Sequence, residues 1–482
     1  FSGGLCAACY QYKRRNDGQY PRKVTFTLWG GEFIQTEGAT LAQVLYMLGV
    51  EPIRDAMGRI NDIRLIPSQE LGRPRIDVLA QTSGQLRDIA ASRLFLINKA
   101  VEIAAAARDD VFPNFVTQGV TEAERIMVNE GIPPAQARQL ASTRVFGGLN
   151  GMYGTGIMGL VESGDRWEDE AKITETYLNN MGAMYTSEED WGGFSEGVFR
   201  AVLHNADAVV QPRQSNTWGP LSLNHVYEFM GGMNLTIRNV TDKEPDAFFS
   251  DYRNRHNPRV QEVKEAIGVE ARTTVLNPTY IRERMKGQGS SAGHFAEIFR
   301  NTYGFNVMKP DAVDNELWDS YHEIYVQDKL DLNVHEFFKR ESPAALQEMT
   351  AVMMETARKG YWEATPEQLD EIANLHTELV NEFKAACSGF VCDNMKLRDF
   401  IAQNATPENA RQYNQQIDKV RLSSPAEPAE GTVMRREALS GERGFQTTLI
   451  NGLIILVAAF VVLGGIVYLI RKRRKQNINE EE

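Results

Sequence analysis

Residues Leu449 to Ile470 form a run of 22 residues without a charged side chain. In an α-helix this length is sufficient to cross a hydrocarbon core of roughly 30 Å. A helix in the core of a soluble domain is rarely so long and so apolar, so the run predicts one transmembrane helix. Asn451 lies near one end, and Tyr468 lies at the other, where an amphipathic ring is favoured.

The charges on either side of this run predict its orientation. Five consecutive cations, Arg471 to Lys475, follow at once, whereas three arginines between residues 435 and 443 are partly offset by two glutamates. Because basic clusters favour the cytoplasmic side, we expect a single-pass protein of a bacterial inner membrane with a periplasmic body. A secretory signal would then precede Phe1. The alternative, a tail-anchored cytosolic body, requires the basic cluster to cross the membrane.

The net charge of the body limits the kinds of partner that it is expected to bind. The chain carries a formal charge of −12, and its last twelve residues hold five basic and three acidic groups, so the rest is more acidic still. An acidic body argues against binding nucleic acid and suits the handling of cations.

The pattern along the chain predicts a mixed α/β fold that is helix-rich in its C-terminal half. Strand-like runs at 24–29 and 78–81 alternate with helical runs at 41–48 and 86–107. We expect an α/β domain at 1–110, a mixed, helix-rich region at 111–400 and a proline-containing tether at 401–448. The transmembrane helix at 449–470 and the basic tail at 471–482 follow. A glycine-rich stretch at 146–159 lacks the order of a nucleotide-binding loop.

One segment, Ala208 to Met233, concentrates groups suited to a binding or reaction site. It begins as a buried-strand pattern, continues as a polar loop and ends in an amphipathic segment closed by Gly231 and Gly232. Buried polar groups need hydrogen-bond partners, so packing alone seldom requires such a mixture. A solvated loop is the alternative. The polar and aromatic members are Gln211, Arg213, Gln214, Asn216, Trp218, Asn224, His225, Tyr227 and Glu228.

The frame "AVVQ…YEFMGGM" in this segment resembles the large subunit of the tetrapyrrole metal chelatases, the CobN and magnesium-chelatase H family. Other blocks follow the family in the same order over roughly residues 20 to 395. They are YPRKV at 20–24, LWGGE at 28–32, GRPRIDV at 72–78, SGQLRD at 83–88, RVFG at 144–147, YGTG at 153–156, RTTVLNP at 272–278 and GYWE at 360–363.

The resemblance implies the C-terminal part of a larger chelatase subunit. It implies a tetrapyrrole such as haem as substrate, Fe²⁺ or Co²⁺ as the transferred ion, and ATP only through AAA+ partner subunits. In typical cobalt chelatases an acidic run precedes the shared glycines, but this chain has Ser222-Leu223-Asn224-His225 there. A second departure, the loop 286–295, contains His294.

These departures favour iron chemistry. Carboxylates suit a hard hydrated cation, whereas an imidazole suits iron held in a porphyrin. We therefore predict His225, His204 and Glu228 as catalytic residues. The predicted tetrapyrrole-binding residues are Gln211, Arg213, Trp218, Asn224, Tyr227, Arg253 and His294, and the predicted metal ligands are His225, Asp251 and His256. For the segment around Arg253, exposed surface charge is the alternative.

Three functions are compatible with these features. The membrane anchor makes the chain similar to the HmuS-type proteins of haem-uptake loci, which implies removal of iron from haem and haem-uptake components as partners. A cobaltochelatase subunit that inserts Co²⁺ is the alternative within the family. A membrane-tethered haem-binding module without catalysis is the alternative of another class.

Overall fold

The computed structural model describes residues 7–109, 111–188, 191–254, 257–386 and 389–423. These residues all belong to one of the two units into which the chain divides, residues 1–434. The predicted transmembrane helix, the basic tail and His256 lie outside the described residues. Within the described ranges, no helix combines the length and apolarity needed to span a bilayer.

An eight-stranded sheet organises the body. Its strands are β1 (Lys23–Leu28), β4 (Asp77–Thr82), β5 (Val145–Gly147), β6 (Ala183–Tyr185), β7 (Trp191–Gly193), β8 (Ala206–Arg213), β9 (Asp246–Asp251) and β10 (Arg259–Glu262). The order across the sheet is β10-β9-β8-β1-β4-β5-β6-β7. The five strands from β9 to β5 are parallel, and the outer pairs on both sides are antiparallel. A separate antiparallel hairpin pairs β2 (Val50–Arg54) with β3 (Ile60–Leu65).

The direction of chain progression reverses between β1 and β8. From β1 the chain moves through β4 to β5 on one side, whereas β8 and β9 lie on the other side of β1. In open α/β sheets, ligands bind at such a switch point, outside the carboxyl ends of the strands.

Helices cover both faces of the sheet, because the central strands carry apolar side chains on each face and both faces must be shielded from water. Along β8, Ala208 and Val210 belong to one apolar cluster, and Val209 belongs to the other. In the first part of the chain the α-helices are Ala7–Arg15, Gly30–Thr36, Ala39–Leu48, Ser68–Leu71, Gly84–Ile89, Ala91–Ala105, Phe115–Asn129, Pro134–Leu140, Met158–Glu162, Ala171–Met181, Val198–Leu203, Asn224–Val226 and Gly232–Thr241.

Every described element after β10 is helical. The α-helices there are Val263–Thr273, Pro278–Met285, Gln288–Met308, Asn315–Tyr321, Val334–Glu341, Pro343–Arg358, Pro366–Phe383, Met395–Asn404 and Pro407–Ser423. Short 3₁₀ or π turns occur at Tyr227–Gly231, Pro310–Ala312, His322–Val326 and Gly389–Asp393. The predicted mixed α/β fold with a helix-rich C-terminal half is therefore confirmed.

The structure differs from the prediction of a tether that begins at residue 401. The helix Pro407–Ser423 packs against the helix Pro366–Phe383. Tyr413 and Ile417, one helical turn apart, are buried in the main core. Pro407 is the first residue of its helix, where proline is tolerated because that N–H would have no intrahelical partner. The proline therefore starts a packed helix. The predicted boundary at residue 110 stays a prediction.

Candidate functional site

An aromatic cluster lies at the switch point. Trp29 directly follows β1, and Trp218 lies in the loop after β8. Their rings stack with centroids 5.7 Å apart and an interplanar angle of 23°. Phe229 contacts Trp29 edge to face at 6.1 Å, and His225 lies against Phe229 at 6.4 Å. Both indoles are half-buried. The cluster therefore offers aromatic surface at the edge of the sheet where α/β folds bind ligands.

A carboxylate–imidazole pair lies beside this cluster. His225 Nδ1 donates to Glu228 Oε1. Glu228 is fully buried, whereas the His225 side chain is 44% exposed. Thr155 donates to Glu228 Oε2 from its backbone N–H at 3.0 Å and from its hydroxyl at 2.8 Å. Glu228 is thus held at both oxygens, and Nε2 of His225 remains available to exchange a proton with a ligand.

This pair sets the protonation of His225. The hydrogen bond that His225 donates to Glu228 raises the pKa of His225 above its usual value, partial burial opposes the rise, and the charge of Glu228 adds to it. The imidazolium therefore persists to higher pH than in a free histidine. The glycine-rich stretch contributes here, because its Thr155 anchors the carboxylate.

A π turn, Tyr227–Gly231, positions Glu228 and Phe229. π turns inside α-helices are rare and frequent at functional sites. The glycines next to it allow close packing: a Cβ at Gly232 would lie 2.4 Å from the Tyr177 ring, and one at Gly304 would lie 2.7 Å from the Tyr227 ring. The shared "GGM" frame therefore reflects tight packing behind the site.

A row of buried polar side chains lies below the π turn. Gln81 on β4 and Gln211 on β8 are both fully buried. Gln81 donates to the Tyr177 hydroxyl, which in turn donates to Phe229 O at 3.1 Å. Among the described residues, neither polar atom of the Gln211 amide has a hydrogen-bond partner, and Gln81 Oε1 also lacks one. Buried polar atoms without partners are uncommon and call for a ligand or water.

Charged residues end β8 and β9 at the same edge. Arg213 is 7% exposed. Its Nη2 donates to Trp218 O at 3.1 Å, whereas its Nε has no partner. Glu270 accepts from Leu221 N at 2.8 Å. Burial lowers the pKa of Arg213, as does the charge of Arg253, while Glu270 and Asp251 oppose this effect.

Asp251 is engaged by Arg253. Two side-chain hydrogen bonds of 2.8 and 2.6 Å join them, with a further bond of 3.0 Å from the Arg253 backbone N–H. Burial would raise the pKa of Asp251, but these bonds and the arginine charge lower it below its usual value. Asp251, the predicted metal ligand, and Arg253, a predicted tetrapyrrole-binding residue, therefore form an ion pair with each other. In the described ranges, no group of three or more His, Cys, Asp or Glu side chains is arranged to hold a metal ion.

The other predicted site residues lie in different surroundings. Tyr227 is packed in the core against Phe305, so its ring is a packing element. His294 contacts the Tyr280 hydroxyl at 3.3 Å, and burial together with the charge of Arg284 lowers the pKa of His294 to about 4. Asn224 is half-buried at the start of a short helix.

His204 lies at the opposite edge of the sheet. It precedes β8, whereas His225 follows that strand. Its carbonyl accepts from Lys23 Nζ at 2.8 Å. Burial and the charge of Lys23 lower the pKa of His204. An open cavity of about 480 Å³ at this edge is lined by Arg22, Thr117, Gln118, Thr121, Glu122 and Asn205. The structure therefore does not bring His204 into the cluster around His225.

Sequence reasoning missed Trp29, Thr155 and Gln81 as members of the site. Each lies directly at or after the carboxyl end of a strand or in the glycine-rich loop. Trp29 and Thr155 belong to blocks of the family frame, LWGGE and YGTG, so a search for polar or aromatic residues within those blocks was the available signal.

The chain matches a known protein family over most of its length. The family profile CobN/Magnesium Chelatase matches residues 5–369, and the chain belongs to that family. It is 27% identical over 377 residues to the chloroplastic magnesium-chelatase subunit ChlH of Oryza sativa subsp. indica, covering 77% of this chain and 26% of that protein. It is 28% identical over 366 residues to the aerobic cobaltochelatase subunit CobN of Pseudomonas aeruginosa, covering 76% and 29%.

A solved structure supports the same assignment. The catalytic subunit of cobaltochelatase from Mycobacterium tuberculosis superposes with a TM-score of 0.71 at 25% identity, covering 78% of this chain and 31% of that one. The chain thus spans between a quarter and a third of the length of these relatives.

Proposed function

We propose that this chain binds a tetrapyrrole at the switch point of its sheet and takes part in removing iron from haem. The observation that carries the proposal is the His225–Glu228 pair beside the stacked indoles of Trp29 and Trp218. Aromatic faces suit a flat macrocycle. The relatives named above act as magnesium and cobalt chelatases, which supports a tetrapyrrole as ligand.

Removal of iron requires a proton donor at the site, and His225 is suited to that role. When Fe²⁺ leaves a porphyrin, two pyrrole nitrogens must each take up one proton, so haem and two protons give metal-free porphyrin and Fe²⁺. An imidazole whose pKa is raised by Glu228 keeps its proton to higher pH than a free histidine does, and Nε2 is the nitrogen that faces away from Glu228 and can donate it. Glu228 stabilises the imidazolium and is itself fixed by Thr155. His225 therefore supplies one proton and is recharged from solvent through its exposed face.

Cobalt insertion is the second candidate, because the cobaltochelatase catalytic subunit shares this fold. Insertion reverses the proton flow, with His225 accepting a proton from the macrocycle. Similarity to these relatives does not distinguish removal of a metal from insertion, so the experiment must distinguish the two reactions.

We further propose a membrane-anchored protein with its body outside the cytoplasm, together with haem-uptake components as partners. The uncharged run at 449–470 and the basic cluster after it support this location. Cys392 takes part in a disulfide bond, a linkage that persists in oxidising compartments. Biosynthetic chelatases depend on ATP-driven cytosolic subunits, whereas a periplasmic body has no access to ATP.

The test is a spectrum of the full-length protein with ferrous haem under reducing conditions. Removal of iron predicts loss of the haem Soret band and growth of porphyrin fluorescence without ATP. Haem that binds with an unchanged spectrum on long incubation would instead identify a carrier. Metal-free tetrapyrrole that takes up Co²⁺ only with ATP and partner subunits would identify an inserting chelatase.

A further inference from the structure

Arg213 has hydrogen-bonding capacity that the protein itself does not use. The guanidinium is buried, and in the part of the chain that the structure describes its Nη2 donates only to the backbone carbonyl of Trp218, at 3.1 Å, while its Nε has no partner. Nε and Nη2 form one edge of the guanidinium, which is the edge that binds a carboxylate with two parallel hydrogen bonds.

The neighbouring carboxylates do not fill this edge. Asp251 is bound by both nitrogens of the Arg253 fork. Glu270 receives the backbone N–H of Leu221 and is packed against Gly219, where an added Cβ would lie 2.2 Å from its Oε2. Within the described residues, Arg213 is therefore a buried cation whose donor edge faces no carboxylate: Nε lacks an acceptor, and Nη2 has only the carbonyl of Trp218.

The position of this edge connects it with the aromatic cluster. The carbonyl that Arg213 contacts belongs to Trp218, the residue that stacks on Trp29. The loop around Trp218 includes the exposed residues Asn216 and Thr217. If Trp218 moves away, the face of Trp29 and the Arg213 edge become available together.

We propose that Arg213 recognises a peripheral carboxylate of the tetrapyrrole, while the ring lies on Trp29 in the place that Trp218 now occupies. This inference rests on the proposed function for its ligand and names the substrate class: a macrocycle with free acid side chains, such as a porphyrin with propionates. Of the two predicted tetrapyrrole-binding arginines, Arg253 is occupied by Asp251, so the acid-binding role falls to Arg213.

The experiment compares protoporphyrin IX with its dimethyl ester, in the absence of metal, on the full-length protein. Both probes share the ring, and only the first has carboxylates. The wild type should bind the free acid about 10- to 100-fold more tightly than the ester, because charge-assisted pairs contribute on this scale. Arg213→Gln should bring the affinity for the free acid down to that for the ester and leave ester binding unchanged.

Two further variants separate the parts of the proposal. Arg213→Lys keeps the charge without the fork and should lose most of the preference. Trp29→Ala should weaken both probes equally, whereas Trp29→Phe should retain much of the binding. Arg93→Gln is the matched control, since Arg93 is also partly buried and donates to a backbone carbonyl, Ile60 O at 3.2 Å.

The proposal is overturned if Arg213→Gln or Arg213→Lys keeps the wild-type ratio of affinities, or if the wild type binds neither probe. Because no metal is present, this result is independent of the proposed reaction. If the protein prefers the free acid but transfers no metal, the role of Arg213 is supported and the proposed function is refuted.

Discussion

At the scale of single residues, the pairing of His225 with Glu228 distinguishes this site from an exposed histidine. Glu228 is buried with both oxygens bound, so its charge is stabilised locally and acts on one imidazole. His225 was predicted from the sequence because it stands where relatives carry acids. Thr155 holds its partner Glu228 in place, and these two residues are 73 positions apart in the chain.

His225→Ala should lower porphyrin release by about 10²-fold if the imidazole transfers the proton, with folding retained because the side chain is half-exposed. Initial rates of fluorescence growth with ferrous haem measure this. His335→Gln serves as the control, because His335 bonds the Tyr325 carbonyl in another part of the fold. A wild-type rate in His225→Ala would place the essential proton donor elsewhere.

Glu228→Gln should shift the pH dependence of release. The pKa of His225 is raised by Glu228, so release should decline as pH rises through that pKa, and in the variant the decline should begin at lower pH. The same sign holds for stability: the pair's contribution is present below the unfolded pKa of about 6.5 and is lost as pH rises through the folded value. An unchanged pH profile would contradict the coupling.

At the scale of elements, the π turn is fixed by close contacts with the long helix Gln288–Met308. Tyr227 packs over Gly304 of that helix, and Gly231 packs against Met308. The turn carries the residues of the site on one side and the core contacts on the other. Displacement of Tyr227 should therefore displace Glu228.

Two glycines of the same helix give a matched test of this packing. Gly304→Ala places a Cβ 2.7 Å from the Tyr227 ring, whereas a Cβ at Gly293 meets nothing within 4 Å. We expect Gly304→Ala to lower the free energy of unfolding by about 1–3 kcal/mol through overpacking. Gly293→Ala should raise it by about 0.5–1 kcal/mol through helix propensity. Urea unfolding measures both, and equal effects would refute the packing argument.

At the scale of the whole molecule, the sheet brings together segments that are distant in sequence. Trp29, Gln81, Thr155 and Gln211 come from four separate parts of the chain. Trp29, Gln81 and Gln211 lie at the carboxyl ends of the neighbouring parallel strands β1, β4 and β8, and Thr155 reaches the site through its hydrogen bonds to Glu228. His204 and His225, only 21 positions apart, are separated to opposite edges by the strand between them.

The topology of the chain in its membrane is tested by protease added to intact spheroplasts. We expect digestion of the body and protection of the tail Arg471–Lys475, because five cations resist transfer across the bilayer. Digestion limited to the last dozen residues would establish the tail-anchored arrangement and, with it, favour an ATP-dependent chelatase.

The sequence alone predicts the fold class, the family and the strands β1 and β4, whose observed bounds differ from the predicted runs by one residue. It could do so because burial on both faces leaves apolar runs, and because close backbone packing requires glycine at fixed places. It also indicated the segment from Gln211 to Glu228, since that density of polar groups is seldom needed for packing.

Which of those groups act together depends on contacts that form only in the folded protein. Whether a carboxylate of the protein occupies the fork of Arg253 or of Arg213 depends on where Asp251 lies. Whether Tyr227 stacks on a ligand or on the core depends on Gly304. Such contacts join residues far apart in the chain. A local pattern records the periodicity of one element, whereas the partners across a sheet edge are set by strand order, which no single segment contains.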